Sequence, residues 1–396
     1  MNLCYVSREF PPELPTAGIG TYLDVVSSSM ALMGNSVVIV TSSTKKESDE
    51  YDHLGRRVIR IKVASSGGFF DNLKFMLNVN IWIKRLNVER KIDLIEVPDY
   101  RGQGLFLKMS SFSIPISIRL HGGQEVASVS DRLSFSPYVR ATYILEWISL
   151  NCVADHVSSP SEYWFSFVRK KLLFFRGTKD VFPNPIFTVA SRKLKDKRDN
   201  VLLYVGRLEE RKGVHDIAWL IDEFFEAYPS ARVEFIGRDC EYNGVPMSQY
   251  ILNNTKKSNH DNIIFKGQLA NDLVRERMLS SKLLIMPSYR ESFGLVALEA
   301  MASGLPVLAY DGTALPEVLG EDNAYTIVKK GNNQGLLDRL IELFGDDLRL
   351  QEISENSLMR LANNYELSIV ESAIYNIYCK VINTNFQTNT RCENKK

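Results

Sequence analysis

The sequence predicts an α/β protein of two doubly wound, Rossmann-like domains joined by a short linker. The chain of 396 residues is too long for one comfortable hydrophobic core and suits two domains. In both halves, apolar runs typical of buried parallel strands alternate with segments of helical period. The polar, basic stretch 191–200 separates the two alternations, as linkers do. We therefore expect one domain over residues 1–190 and another over 201–365.

The first half alternates between apolar runs that predict strands and segments whose apolar residues recur with helical spacing. The predicted strands are 3–6, 36–41, 57–63, 94–98, 115–121 and 156–160. The predicted helices are 18–33, 71–90, 101–110, 131–151 and 161–171.

The second half repeats this alternation and ends in helices. The predicted strands are 201–208, 231–237, 262–267, 282–288, 306–310 and 324–328. The predicted helices are 213–228, 246–257, 270–280, 294–303, 333–345, 346–364 and 366–384. Residues 385–396 are too polar to be buried, which predicts a flexible tail.

Composition argues against several classes of protein. The formal net charge of +1 argues against a nucleic-acid partner, because binding a phosphate backbone needs a large excess of Lys and Arg. No stretch is apolar enough for a membrane span or a signal peptide. The cysteines are scattered and lack C-x-x-C spacing, which indicates a reducing, cytoplasmic compartment and no structural zinc. They are Cys4, Cys152, Cys240, Cys379 and Cys392.

A first candidate site follows the strand predicted over 201–208. Arg207 and Lys212 flank the loop between this strand and the next helix, where an open α/β sheet binds its ligand. A planar guanidinium and a compact ammonium suit a diphosphate, whose leaving-group charge grows as its bond to a sugar breaks. The alternative interpretation is a solvated loop of mixed charge, because other charged residues lie between these two.

A second candidate site lies where the helix 294–303 begins. Glu291 precedes this helix, and Glu299 lies in its second turn. Each ionised carboxylate can accept hydrogen bonds from two vicinal hydroxyls, and the free backbone N–H groups at the helix start can donate in return. The pair indicates a sugar-nucleotide site, with two ordinary surface glutamates as the alternative. The N–H groups belong to Phe293, Gly294 and Leu295.

A glycine-rich segment opens the first predicted helix. Gly18 and Gly20 follow a long loop, and Leu23 stands where a G-x-G-x-x-G fingerprint requires glycine, so a nicotinamide cofactor is not expected. The helix start offers free N–H groups to a donor phosphate or an acceptor hydroxyl. Because neither a D-x-D triplet nor metal-ligand spacing of His, Asp and Glu occurs, we expect no metal and no further cofactor.

Several motifs, in this order, resemble glycosyltransferase family 4, also called glycosyl transferases group 1. The motifs are Ala17 to Tyr22, Asn184-Pro185-Ile186, Gly206-Arg207-Leu208 with Lys212-Gly213, and the spacing of Glu291 and Glu299. The family consists of retaining enzymes of GT-B fold, which implies two Rossmann-like domains facing across a cleft. It also implies that the helix 366–384 crosses back to the first domain. Family members usually carry glycine where this chain has Ala17, so the shape of that loop is open.

The resemblance also implies a role for each candidate residue. Arg207 and Lys212 would hold the diphosphate of a nucleoside-diphosphate sugar, the co-substrate. Glu291 would contact the transferred sugar, and Glu299 would contact the nucleotide ribose. His121, which ends a predicted strand, would face the donor sugar and complete the catalytic set, although a structural histidine is the alternative.

The acceptor site is less well marked in the sequence. Glu96, Asp99 and Tyr100 close the strand that precedes His121, and these four residues are our acceptor-binding candidates. The segment 164–176 mixes aromatic residues with cations, as interfacial helices do. It predicts contact with the cytoplasmic face of a membrane and a lipid-linked acceptor, with a buried helix that has a basic shoulder as the alternative.

Two other functions fit the same scaffold. The chain can be a sugar-nucleotide epimerase or an inactive subunit that binds a sugar nucleotide. The presence of all four charged candidates disfavours the inactive subunit. An epimerase needs an acid–base pair around the sugar, and the sequence does not identify one. A retaining glycosyltransferase acting on a saccharide or lipid-linked acceptor is therefore the leading interpretation. The sugar, the base, the linkage and the oligomeric state stay open.

Overall fold

The computed structural model describes residues 1–11, 18–43, 48–63, 68–109, 113–123, 137–186 and 198–393, with side chains as far as residue 385. The chain divides into two compact units. Unit 1 comprises Met1–Phe187 and Leu367–Lys396, and unit 2 comprises Thr188–Glu366. Most of the predicted linker 191–200 lies outside the described residues, and its end already belongs to the first strand of unit 2.

Unit 1 contains, within the described residues, an eight-stranded sheet of order β3-β4-β2-β1-β5-β6-β7-β8. Its strands are β1 (Asn2–Val6), β2 (Ser36–Ser43), β3 (Asp49–His53), β4 (Arg56–Lys62), β5 (Leu94–Pro98), β6 (Ile116–Arg119), β7 (His156–Ser159) and β8 (Thr178–Val181). All pairs are parallel except β3 with β4. Leu3 and Tyr5 enter one core and Cys4 and Val6 the other, so β1 is apolar throughout, as strands buried on both faces are.

Helices cover both faces of this sheet. They are α1 (Gly18–Leu32), α2 (Phe69–Glu89), α3 (Pro137–Ile148), α4 (Glu162–Arg169) and α12 (Leu367–Glu393). Helices α2 and α4 share one core cluster, while α1 and α12 share the cluster on the opposite face. A π-helical turn, Ser149–Val153, extends α3.

The helix predicted over 101–110 is wrong. The chain there forms two short 3₁₀ turns, Tyr100–Gly102 and Leu107–Met109. Arg101 and Gly102 adopt the left-handed conformation, with φ of 57° and 63°, which ends a right-handed helix. A side chain at Gly102 would also lie 2.7 Å from the backbone of Leu145, so α3 packs directly on this turn.

The last helix, α12, packs within unit 1. Val370, Ile374 and Tyr378 join the core that α1 lines. The helical backbone continues to Glu393, whereas the sequence predicts a flexible tail from residue 385. A helix anchored by buried residues gains one hydrogen bond for each residue added, so polar residues can continue it.

Unit 2 contains, within the described residues, a six-stranded parallel sheet of order β13-β10-β9-β14-β15-β16. Its strands are β9 (Asp199–Val205), β10 (Arg232–Ile236), β13 (Ile263–Phe265), β14 (Ser281–Met286), β15 (Val307–Tyr310) and β16 (Ile327–Val328). A two-stranded antiparallel ribbon, β11 (Glu241–Tyr242) and β12 (Val245–Pro246), follows β10 in the chain. The sequence did not predict this ribbon.

The helices of unit 2 follow its strands in alternation. They are α5 (Val214–Ala227), α6 (Met247–Asn253), α7 (Asn271–Ser280), α8 (Leu295–Ala302), α9 (Leu315–Leu319), α10 (Asn333–Gly345) and α11 (Asp347–Asn364). The short α9 was not predicted. The element order confirms the predicted α/β class with doubly wound parallel sheets. No helix in the described part of the chain combines the length and apolar character of a membrane span.

Candidate active site

Two loops at the carboxyl ends of neighbouring strands in unit 2 are packed directly together. Gly213, between β9 and α5, has a φ of 67°, and a side chain there would lie 1.8 Å from the carbonyl oxygen of Pro287. Only glycine fits such an approach. The backbone N–H of Tyr289 donates to the carbonyl oxygen of Arg211 over 3.0 Å. The loop after β9 and the loop after β14 therefore form one surface.

Lys212 and Glu291 form an ion pair across these two loops. Their side chains keep 17% and 11% of their exposure, so the pair is largely shielded from water. Burial by itself would raise the pKa of Glu291, but the positive charges of Lys212 and Arg211 outweigh burial and lower it. Glu291 is thus an ionised, acceptor-only group beside an ammonium group.

Arg207 lies at the open side of the same loop. Its side chain is 57% exposed, and its guanidinium lies 3.0 Å from a carboxylate oxygen of Glu209. Arg211 also pairs with Glu209, and the Tyr204 hydroxyl donates to the carbonyl oxygen of Arg207 over 2.7 Å. Glu209 and Arg211 are thus part of this cluster, although their place in a run of mixed charge gave no sign of it.

The start of α8 presents backbone N–H groups that can donate hydrogen bonds to a ligand. Gly294 has a φ of 102°, and a side chain there would lie 2.6 Å from Leu315. Phe293 is 3% exposed and packs edge-on against Tyr365 at 6.1 Å. Among the described residues, the backbone N–H groups of Phe293, Gly294 and Leu295 find no acceptor. These groups are available to an oxygen-rich ligand.

Glu299 lies about one turn into α8. Its carboxylate accepts no hydrogen bond from the described residues. Burial raises the pKa of Glu299 to about 7, and the charge of Arg275 only partly offsets this. An unsatisfied, half-buried carboxyl group is costly to the folded protein, and a ligand that donates hydrogen bonds would relieve that cost.

A polar network below the ion pair was missed in the sequence. Asp216 accepts from the hydroxyls of Tyr289, over 2.9 Å, and Tyr310, over 3.1 Å. The ring of His215 stacks between Tyr242 and Tyr289, at 5.1 and 5.6 Å. These contacts fix the backbone two residues before Glu291. A tyrosine directly after a strand end is the only sequence signal for them, and it is weak.

His121 lies at the carboxyl end of β6 in unit 1. Its backbone N–H donates to Asp99 over 2.9 Å, and its ring meets Tyr22 edge-on at 5.0 Å. Burial, together with the charge of Arg119, lowers the pKa of His121 to about 3. The imidazole is therefore uncharged near neutral pH and can exchange hydrogen bonds with a sugar hydroxyl.

Asp99 holds the loop that carries His121. Besides His121, the N–H of Gly122 donates to its carboxylate over 3.4 Å. Burial raises the pKa of Asp99 to about 6, although these N–H donors oppose the shift. Asp99 is 5% exposed and acts on the site through the loop. Tyr100 is half-buried and lies under the guanidinium of Arg101, 4.9 Å from its ring.

The structure corrects the prediction that Glu96 binds an acceptor. Glu96 is buried, and both of its carboxylate oxygens are occupied, one by the Tyr22 hydroxyl at 3.1 Å and one by the Tyr378 hydroxyl at 2.8 Å. It therefore joins α1, β5 and α12 within unit 1. In the glycine-rich segment, Gly18 is exposed and Gly20 is buried. Ala17 lies outside the described residues.

The segment 164–176 contains both of the features that the sequence left as alternatives. Trp164 is 3% exposed and Val168 is 4% exposed, so they belong to the core. Leu173 is 71% exposed and Phe174 is 63% exposed, beside cations that reach the surface. Among the described residues no group of His, Cys, Asp and Glu side chains is arranged to hold a metal ion.

The sequence and fold are similar to those of known glycosyltransferases. Residues 187–359 match the family model of glycosyl transferases group 1. Over 404 aligned residues the chain is 23% identical to a glycogen synthase of Mycobacterium tuberculosis, covering 96% of this chain and 94% of the relative. It is 21% identical to the capsular polysaccharide biosynthesis glycosyltransferase CapM of Staphylococcus aureus, covering 90% of this chain and 96% of CapM.

Solved structures show the same architecture. A sucrose-phosphate synthase from Thermosynechococcus elongatus superposes with a TM-score of 0.77 at 18% identity, covering 97% of this chain and 99% of that one. WaaG, a glycosyltransferase involved in lipopolysaccharide biosynthesis, superposes with a TM-score of 0.68 at 16% identity, covering 95% and 99%. Residues 187–359, nearly all of unit 2, thus match the glycosyl transferases group 1 model, and the chain has the GT-B fold of known glycosyltransferases.

Proposed function

We propose that the protein is a retaining glycosyltransferase of family 4. It moves a sugar from a nucleoside-diphosphate sugar to a saccharide or lipid-linked acceptor, in the assembly of a surface polysaccharide or other glycan. The observation that carries this proposal is the Lys212–Glu291 ion pair, with Arg207 on the same loop. These residues place cations that can bind a diphosphate beside an ionised carboxylate that can accept from sugar hydroxyls, at the carboxyl-terminal edge of one sheet.

The cations stabilise the leaving group. The bond between the anomeric carbon and the diphosphate oxygen breaks, and negative charge grows on that oxygen. Arg207 and Lys212 neutralise this charge, and the N–H groups at the start of α8 add fixed dipoles. Lys212 can serve both partners because an ammonium group has three donors, so it can bind a phosphate oxygen while remaining beside Glu291.

The glutamates and His121 position the donor. Glu291 accepts from hydroxyls of the transferred sugar, Glu299 accepts from the ribose, and the neutral His121 ring faces the sugar. The acceptor hydroxyl attacks the anomeric carbon on the face that the diphosphate leaves, and its proton passes to the leaving oxygen. The new glycosidic bond then has the configuration of the donor. Positioning and charge stabilisation supply the rate enhancement.

Metal independence is part of the proposal. Two side-chain cations, a third at Arg211 and three backbone N–H groups together offer the charge neutralisation that a divalent ion supplies elsewhere. We further propose that the exposed apolar residues and cations of 164–176 contact the cytoplasmic face of a membrane. The involvement of CapM in capsular polysaccharide biosynthesis and of WaaG in lipopolysaccharide biosynthesis supports a cell-surface glycan as the product.

The test is the product's anomeric configuration. A thermal-shift screen against UDP-, GDP-, ADP- and dTDP-sugars first identifies the donor, because a ligand that binds only the folded state raises its melting temperature. Proton NMR of the product formed with that donor then reports the new linkage. We expect the donor's configuration in the product. An inverted linkage would refute retention, and hydrolysis or epimerisation without transfer would refute the proposed reaction.

A further inference from the structure

Helix α2 of unit 1 carries a straight line of exposed apolar side chains. Phe70 is 79% exposed, Leu77 47%, Ile81 61% and Val88 90%. At about 100° of rotation per residue, these positions fall within about 20° of one line along the helix axis. The opposite side of the helix packs against the sheet, and its apolar residues belong to the core. The exposed line is therefore a second apolar face.

Cations flank this line on both sides. Lys74 and Lys84 lie about 40° to either side of it, and Arg85 lies about 60° away. Lys74 and Lys84 are exposed and make no hydrogen bond or ion pair with the described residues. The acidic residues of α2, Asp71 and Glu89, lie about 100° from the line. Glu89 is already paired with Arg57 at 2.7 Å.

We propose that this face of α2, which we call the α2 stripe, docks unit 1 onto an anionic lipid surface. An apolar line between two rows of cations is the pattern of a helix lying in a membrane interface. Its apolar side chains enter the acyl boundary, while lysine stems reach back to lipid phosphates. Each of the four apolar residues is at least 47% exposed, and exposed apolar surface rimmed by polar residues is typical of an interaction site.

A second copy of the chain fits the α2 stripe less well. An antiparallel pair centred on the helix would place Lys74 of one copy opposite Lys84 of the other. A parallel pair would place each lysine against its own counterpart. Like charges facing each other oppose both arrangements, whereas anionic headgroups are complementary to every cation of the stripe.

Other exposed apolar side chains lie on the same face of the sheet as the α2 stripe. Phe75 and Val79 of α2 share a core cluster with Trp164 and Val168 of α4, so the outer sides of these helices face the same direction. Leu173 and Phe174, which follow α4, are also largely exposed. The inference rests on the lipid-linked branch of the proposed function and names α2 as its main contact.

The test is sedimentation of the full-length protein with vesicles. We compare pure phosphatidylcholine with mixtures containing phosphatidylglycerol, and expect binding only to the anionic vesicles, weakening as salt rises. The double variant Leu77→Glu with Ile81→Glu should lower binding at least about tenfold. Lys74→Glu with Lys84→Glu should do the same. The control is Leu32→Glu, because Leu32 is 85% exposed on the opposite face of the sheet.

Each contrary result has a defined meaning. Absence of wild-type binding, or full binding by both double variants, overturns the α2 stripe as a lipid contact. Loss of binding only in Leu173→Glu assigns docking to the segment after α4 instead. A wild-type dimer that Leu77→Glu dissociates in sedimentation velocity overturns the proposal in favour of a second copy. Calorimetric titration with a nucleoside diphosphate tests the proposed donor site separately. The substitutions in α2 lie in unit 1, so they should leave the nucleotide affinity of unit 2 unchanged.

Discussion

The Lys212 ammonium and the Glu291 carboxylate form an ion pair between two loops that are held together by the contact of Gly213 with Pro287. The pair has a chemical consequence for the ligand. Glu291 stays ionised in a shielded site because Lys212 and Arg211 lower its pKa against the effect of burial. Lys212 is therefore needed both by the buried carboxylate and by the leaving group that we propose.

Removal of either diphosphate cation should slow transfer. We expect Arg207→Ala and Lys212→Ala each to lower kcat at least about tenfold, because a lost charged contact in the transition state costs on the order of 1.4 kcal/mol or more. Steady-state turnover measures this. Arg232→Ala is the matched control, since Arg232 is exposed on β10 and pairs with no described residue. Wild-type rates in both site variants would remove the diphosphate assignment.

Transfer should survive removal of divalent cations. Arg207, Lys212 and the N–H groups before α8 are expected to neutralise the diphosphate on their own. Turnover in excess EDTA, with protein passed through a chelating resin, should stay within about twofold of the untreated rate. Full loss of activity that Mg²⁺ or Mn²⁺ restores would contradict metal independence.

Glu299 should destabilise the empty protein above neutral pH. Burial raises its pKa from the ordinary 4.5 to about 7, so the folded state opposes an ionisation that the unfolded chain allows. This contribution is absent below about pH 4.5 and destabilises progressively as pH rises to about 7. At about pH 8 we expect the free energy of unfolding of Glu299→Gln to exceed that of wild type by about 1 to 3 kcal/mol, with a much smaller difference at about pH 5. Thermal or denaturant unfolding at the two pH values measures this.

The control for Glu299 is Glu276→Gln, which removes an exposed carboxylate from α7 of the same unit. It should leave the pH dependence of unfolding unchanged. A Glu299→Gln variant that is less stable than wild type at high pH would show that the carboxylate has a partner within the protein.

Glu96 should matter for stability and not for substrate. Tyr378→Phe removes the hydroxyl that donates to one buried oxygen of Glu96 over 2.8 Å. We expect a loss of about 1 to 3 kcal/mol in the free energy of unfolding, the usual cost of an unsatisfied buried group. Denaturant titration measures it. Tyr375→Phe removes a hydroxyl from the same helix that has no described partner, and it should be neutral. Equal stability of both variants would contradict the network.

The sequence predicted the alternation of strands and helices well, because apolar periodicity reports burial directly. It failed where single residues decide the backbone. Arg101 and Gly102 adopt positive φ where the apolar spacing favoured a helix. The edge strand β3 is polar and exposed, so it lacks the apolar signal of its neighbours.

The candidate site was predicted where residue type and spacing are unusual together. Arg207, Lys212 and Glu291 follow strand ends, and strand ends of parallel sheets converge at one edge. Asp216, Tyr289 and Tyr310 could not be found in this way, because their contacts join positions far apart in sequence. Glu96 was misassigned for the same reason, since its partner Tyr378 lies on the last helix.

Calorimetric titration of the nucleoside diphosphate into wild type, Glu299→Gln and Glu291→Gln separates the roles that we propose for the two glutamates. We expect Glu299→Gln to weaken binding by about 1 to 3 kcal/mol, because it loses a charge-assisted hydrogen bond to the ribose. Glu291→Gln should bind the free nucleotide nearly as wild type does and lose turnover, because its partner is the transferred sugar. Equal loss of affinity in both variants, or loss only in Glu291→Gln, would refute the assignment of Glu299 to the ribose and Glu291 to the transferred sugar.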